Sequence, residues 1–114
     1  MPSLSITTNA ILTPETESSL ADAASKILAA GLEKPEAYVM VSVQSHATLR
    51  FAGSDEPSAL LDLRSIGLPR DLNDVAHALT GVVNRHAHVP ARRIYITFTD
   101  VPAKHWAHGG ATFA

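Results

Sequence analysis

Pro2 stands directly behind Met1, and a small residue in the second position usually allows the initiator methionine to be clipped. With Met1 gone, the proline would carry the free amino group as a secondary amine, basic and nucleophilic where an amide nitrogen is neither. Taken alone, a chain that begins Met-Pro reads as a solvated, frayed end. Lys34, just before Pro35, adds a cation that is by itself only a charge at the end of a helix. Six histidines, with the spacings His86-x-His88 and His105-x-x-His108, raise the question of a metal. The first pair falls where a helix is expected to end, and a cationic imidazole complements a helix C-terminus. No His-Glu-x-x-His pattern and no cysteine partner accompanies either pair, so no metal site is expected. Ser58, Ser65 and the scattered aspartates form no spaced triad, which argues against nucleophilic hydrolysis.

The elements that must position these groups follow from periodicity. Leu4 and Ile6 alternate with Ser3, Ser5 and Thr7, the pattern of a strand with one buried face. Thr13, Pro14 and Glu15 supply an N-cap, a first helical residue and an acidic first turn. Leu20, Ala23, Ala24, Ile27 and Leu28 then form one helical stripe, and Gly31 is its stop. After Lys34-Pro35 a strand is predicted over Tyr38 to Val43, apolar on both faces at its start. Turn chemistry in Gly53-Ser54-Asp55-Glu56-Pro57 leads to a further strand from Ala59 to Ile66. Gly67, Pro69 and a capping Asp71 precede a second helical stripe of Leu72, Val75, Ala76, Leu79, Val82 and Val83. Gly81 inside that helix is costly, which predicts close packing against a neighbouring element. Ile94 to Thr99 is the last clear strand.

The order is βαβ twice. Pro35 and Pro90 each stand three residues before a strand-forming stretch and after an amphipathic helix, so the two halves read as an internal pseudo-repeat, 1–57 and 58–114, within one domain. Right-handed crossovers then predict an α+β fold: a four-stranded mixed sheet with both helices on one face. The other face would lie open, and the apolar Tyr38 to Val43 stretch predicts that another subunit covers it.

Composition narrows the function classes. The chain has 114 residues, 46% hydrophobic and 18% charged, which suits one soluble core. Net charge is -2 and the only tight basic cluster is Arg92-Arg93, so a nucleic-acid partner is not expected. No signal-peptide pattern and no membrane-length apolar run is present; a cytoplasmic location and no membrane partner are expected. Zero cysteines exclude disulfides and thiolate chemistry.

Met1-Pro2, Lys34-Pro35 followed by Tyr38-Val39-Met40-Val41, the run Phe51 to Pro57, Ser65-Ile66-Gly67, Arg93-Ile94-Tyr95-Ile96 and the closing Thr112-Phe113-Ala114 together resemble the macrophage migration inhibitory factor family of the tautomerase superfamily, over essentially the whole chain. The resemblance implies a homotrimer of duplicated βαβ units with active sites between neighbours. It implies a keto-enol tautomerase, of isomerase type, acting on phenylpyruvate-like α-keto acids without a cofactor. Pro2 would be the general base, and Lys34 and the backbone N–H of Ile66, in the Ser65-Ile66-Gly67 turn, would bind the substrate carboxylate. Such a base needs a pKa near the working pH, and desolvation together with a nearby cation would lower an amine's pKa toward it.

The same resemblance puts Tyr38, Tyr95 from the neighbouring subunit, Trp106 and Phe113 around the substrate's ring, although each is equally an ordinary core or interface aromatic by type. Thr97 stands where some members carry an asparagine that binds a para-hydroxyl. His108 stands near the pocket mouth, within a stretch where better-known members carry an aromatic. The Cys-x-x-Cys of some members is here Ser58-Ala59-Leu60-Leu61, which removes thiol redox activity. A different class of function is also implied: some members leave the producing cell without a signal peptide and act on a cell-surface receptor as cytokine-like signals, with catalysis incidental.

Overall fold

The computed structural model describes residues 1–114. Two successive βαβ units build it: β1 (Pro2–Thr8), α1 (Pro14–Gly31) and β2 (Met40–Gln44), then β3 (Ala59–Ser65), α2 (Asn73–Ala87) and β4 (Ile94–Asp100). The strands form one sheet in the order β2-β1-β3-β4. Each βαβ pair is parallel, and the two units meet through the antiparallel β1–β3 pair, in which Pro2 lies opposite Ser65 and Leu4 opposite Leu63. A two-stranded hairpin, β5 (Ala107–His108) and β6 (Ala111–Thr112), follows, its turn made by Gly109 and Gly110 at positive φ.

Alternation in the strands decides which face the helices cover. Leu4 and Ile6 of β1 and Leu61 and Leu63 of β3 are buried against Leu20, Ala24 and Leu28 of α1 and Val75, Leu79, Val82 and Val83 of α2. Burying each such Leu or Val side chain stabilises the fold by about 1.5–3 kcal/mol. Thr13 caps α1 as its type predicts, its Oγ1 accepting from the Thr16 N–H at 3.1 Å.

Four local expectations are corrected. The second strand begins at Met40 rather than Tyr38: Pro35 starts a 3₁₀ turn over Glu36–Tyr38, and the Tyr38 and Val39 N–H groups donate to Pro35 and Glu36 carbonyls at 3.0 Å. The third strand ends at Ser65, because Gly67 (φ 82°) turns the chain. Asp71 does not cap α2; the N-cap is Leu72, and the Asp71 carboxylate instead accepts from the Asn73 N–H at 2.9 Å. Gly81 does not pack on a neighbouring element, since a Cβ there would meet only Arg85 Nη1 of its own helix; the close approach between helices is at Gly31, 3.1 Å from Val75 Cγ2.

The open sheet face is also more polar than expected. Its cross-strand rows are Met40, Ser3, Arg64 and Thr99; Ser42, Ser5, Asp62 and Thr97; and Gln44, Thr7, Leu60 and Tyr95. Met40, Leu60 and Tyr95 are its exposed large hydrophobics, and Arg64 pairs with Asp62 at 3.2 Å. With Tyr38 outside β2, the apolar argument for a covering subunit loses most of its force on that strand.

Candidate active site at the amino terminus

Strand β1 enters the sheet between β2 and β3, so its first residues are held on both sides and do not fray. Pro2 is fully buried on the helix-covered face, opposite Ser65, whose hydroxyl is buried without a hydrogen-bond partner. Beside this end of the sheet, Lys34 leaves α1 and its Nζ donates to the Ile66 carbonyl at 3.3 Å. The Ile66 N–H takes no part in the backbone hydrogen bonds of the chain. A cation and an uncommitted amide donor therefore lie on one turn, a pairing suited to a carboxylate.

Two shallow cavities flank the terminus. One, of about 300 Å³, is lined by Met1, Lys34, Tyr38, Ile66 and Phe113 among others. The second, of about 250 Å³, is lined by Met1, Pro2, Tyr38, Trp106 and His108 among others. Met1 and Tyr38 belong to both. The largest cavity, about 500 Å³ between α1 and α2, contains none of the expected site residues. The terminal amine itself is held below its ordinary value of 8.0, first by desolvation and second by the positive charge of Lys34. Both causes act against the protonated form.

Of the expected site residues, Pro2, Lys34, Ser65, Ile66, Tyr38, Trp106 and Phe113 meet at this end of the molecule. Tyr95 and Thr97 do not. Both point to the open sheet face, and Tyr95 sits five positions along β4 from Asp100, which shares the row of Pro2 and Ser65. That spacing is about 16 Å at about 3.3 Å per residue. Thr97 Oγ1 lies 3.3 Å from the Asp62 carboxylate, and Tyr95 packs edge-on against Phe51 at 4.8 Å between centroids.

Sequence reasoning missed two contributors. Asp100 accepts the Gly67 N–H at 3.0 Å, and the Val101 N–H donates to the Ser65 carbonyl at 2.8 Å, so the end of β4 fixes the Ser65-Ile66-Gly67 turn. Only the β3–β4 register reveals this. The second is the β5–β6 hairpin, whose Gly109-Gly110 pair was the one available signal; it carries His108, already expected near the pocket mouth, onto the Phe113 ring with 6.2 Å between centroids.

The family model for macrophage migration inhibitory factor matches residues 1–114. A macrophage migration inhibitory factor homolog of Brugia malayi is 36% identical over 115 residues, covering 99% of each chain. Among solved structures, a homologue from Prochlorococcus marinus superposes with a TM-score of 0.93 at 34% identity, over 98% of this chain and 99% of that one. The factor from Toxoplasma gondii superposes with a TM-score of 0.90 at 37% identity, over 96% and 98%. The chain belongs to the macrophage migration inhibitory factor family, and through it to the tautomerase superfamily.

Proposed function

We propose that this protein is a keto-enol tautomerase of phenylpyruvate-like α-keto acids, with the amino group of Pro2, freed by loss of Met1, as general base. The observation that carries the reading is the setting of the chain's start, where the Met1 amine just ahead of β1 is desolvated, lies beside Lys34 and is held below its ordinary value by both. Pro2 lies one residue deeper than Met1 and is fully buried, so the same two causes bear on its nitrogen. While Met1 is attached, that nitrogen is an amide with no available lone pair. Its loss also removes one of the two residues that the flanking cavities share, which opens both toward Pro2.

In the proposed reaction the neutral amine takes a proton from the carbon next to the ketone, the C–H electrons form the enol double bond, and the carbonyl oxygen gains the proton. The reverse direction returns the proton to carbon. Lys34 and the Ile66 N–H hold the carboxylate, Ser65 lies against the Pro2 position, and Tyr38, Trp106 and Phe113 wall the ring. Tyr95 and Thr97 enter this site only from a second copy of the chain, because within one copy they are remote from Pro2 and on the opposite sheet face. A homotrimer closed through the open sheet faces supplies that copy.

The test is interconversion of enol and keto phenylpyruvate, followed by ultraviolet absorbance, with mass spectrometry to establish that Met1 is absent. Pro2→Gly, whose amine is primary and unconstrained, is expected to lose most of the rate. Undiminished turnover by that variant would sink the general-base assignment. Light scattering is expected to give three chains per particle. The names of the relatives denote a factor acting on macrophages, so a cell-surface receptor is the second reading. Receptor binding retained by Pro2→Gly would separate it from catalysis.

A further inference from the structure

Tyr95 is 62% exposed in the single chain, and Phe51 is its aromatic neighbour, edge-on at 63° between ring planes. Phe51 begins a stretch of turn residues outside the sheet, where a lone bridge to Ser54 closes a turn with Ala52 (φ 52°) and Gly53 (φ 73°) left-handed. Such a stretch offers little apolar surface by which to hold itself. Arg93 holds it instead. This side chain is buried, at 6% exposure. Its Nε donates to the Pro57 carbonyl at 2.9 Å, Nη1 to Phe51 at 3.2 Å, and Nη2 to Glu56 at 3.0 Å and Ser54 at 3.4 Å. The guanidinium carbon also lies 5.1 Å from the centroid of the Phe51 ring.

No carboxylate pairs with Arg93. A buried cation satisfied only by carbonyls and a ring face is a costly arrangement, and its planar fork is suited to fixing several acceptors at once. All four of its carbonyls belong to residues 51–57, and the ring it covers is the one against Tyr95. We propose that Arg93 and Phe51 are positioning residues that set the orientation of Tyr95, and thereby the preference of the neighbouring copy's pocket for a substrate with an aromatic ring. The proposal rests on the reading of the Pro2 site given above, in which Tyr95 is the wall contributed by a second copy. Neither residue touches substrate; Arg93 acts through Phe51, and Phe51 acts through Tyr95.

Arg93→Met removes a buried charge from among its acceptors and can unfold the chain, so the primary test uses Phe51. Binding of phenylpyruvate and of the ring-free 2-oxobutanoate is measured by calorimetry on the assembled protein, for the parent, Phe51→Ala and Phe51→Tyr. Loss of one aromatic pair predicts that Phe51→Ala weakens phenylpyruvate binding by about three- to tenfold and leaves 2-oxobutanoate within about twofold. Phe51→Tyr, which keeps the ring, is expected to restore the parent ratio. Equal weakening of both ligands would show a merely structural role and overturn the proposal. So would an unchanged ratio in Phe51→Ala, or a parent protein without preference for the aromatic acid. Because the readout is binding, it is independent of turnover. Loss of discrimination in Phe51→Ala beside undiminished activity of Pro2→Gly would fail the base assignment alone.

Discussion

The two βαβ units use one backbone device for opposite ends. In each, a proline leads out of the helix into a 3₁₀ turn and then a strand: Pro35 (φ -61°, ψ 135°) before Glu36–Tyr38, and Pro90 (φ -60°, ψ 141°) before Ala91–Arg93. The residue before the first proline is Lys34, which reaches the Ile66 carbonyl at the pocket. Its counterpart is Val89, wholly buried in the core. Third after the proline stands Tyr38, 48% exposed and lining both terminal cavities, against Arg93, 6% exposed and fastened to residues 51–57. The shared turn fixes where these side chains start. Side-chain chemistry decides whether they build a site or pin the fold. In the first unit they lie around the amino terminus; in the second one fills the core and the other fastens residues 51–57.

The largest effect that tests this contrast falls on the start of the first unit. Pro2→Gly is expected to lower kcat/KM by roughly 10²–10⁴-fold, the usual worth of a positioned general base. Next comes the pair before the prolines. Lys34→Ala removes the proposed charged hydrogen-bonding partner of the substrate carboxylate and should raise KM by roughly 10–100-fold. Thermal unfolding should change little, since the single hydrogen bond of its side chain in the free protein is the 3.3 Å contact to the Ile66 carbonyl. Val89→Ala should do the reverse, with KM held and stability lowered by about 2 kcal/mol, because the lost methyls leave a fully buried position. If both substitutions move KM, or both move the unfolding midpoint alike, the division of labour between the units is wrong.

A smaller effect sharpens the role of Lys34. A general base works as the neutral amine, so the rate rises with pH as the amine loses its proton. Desolvation first and Lys34 second hold the Met1 amine below 8.0, and the same two causes acting on a freed Pro2 amine would move that rise to lower pH. In Lys34→Ala the protonated amine no longer faces a like charge, and the rising limb of kcat/KM should shift upward. Because desolvation is the larger cause, the limb should still lie below the ordinary α-amino range. A pH-rate profile unmoved by the substitution would remove Lys34 as a source of the shift.

The doubled βαβ plan was legible because it is written in periodicities: the alternation of Leu4 and Ile6, the stripe from Leu20 to Leu28, the cap at Thr13. The site was legible only in part. No local pattern says that Lys34 and Ile66 meet, since they are far apart in sequence and the sheet register brings them together; that expectation came from the family resemblance. Asp100 was invisible for the same reason. Arg92 and Arg93 read alike as a surface cluster, yet a single step of the 3₁₀ turn leaves Arg92 exposed and buries Arg93. The hairpin of β5 and β6 has strands too short to show a period.

The smallest expected effect compares the glycines of the two helices. Sequence alone reads Gly31 as the stop of its helix and only Gly81 as an interior cost, but a Cβ at Gly31 would come within 3.1 Å of Val75 Cγ2, which belongs to a buried side chain of α2. At Gly81 the nearest atom is Arg85 Nη1, the far end of a flexible side chain that can swing away. Gly81→Ala should therefore realise most of the helix-propensity gain, up to about 1 kcal/mol in denaturant unfolding. Gly31→Ala should gain less or lose stability, because the two helices must move apart to admit the methyl group. The ordering Gly81→Ala above Gly31→Ala is the result to check; the reverse order would mean that α1 and α2 do not meet as closely at Gly31 as their 3.1 Å approach requires.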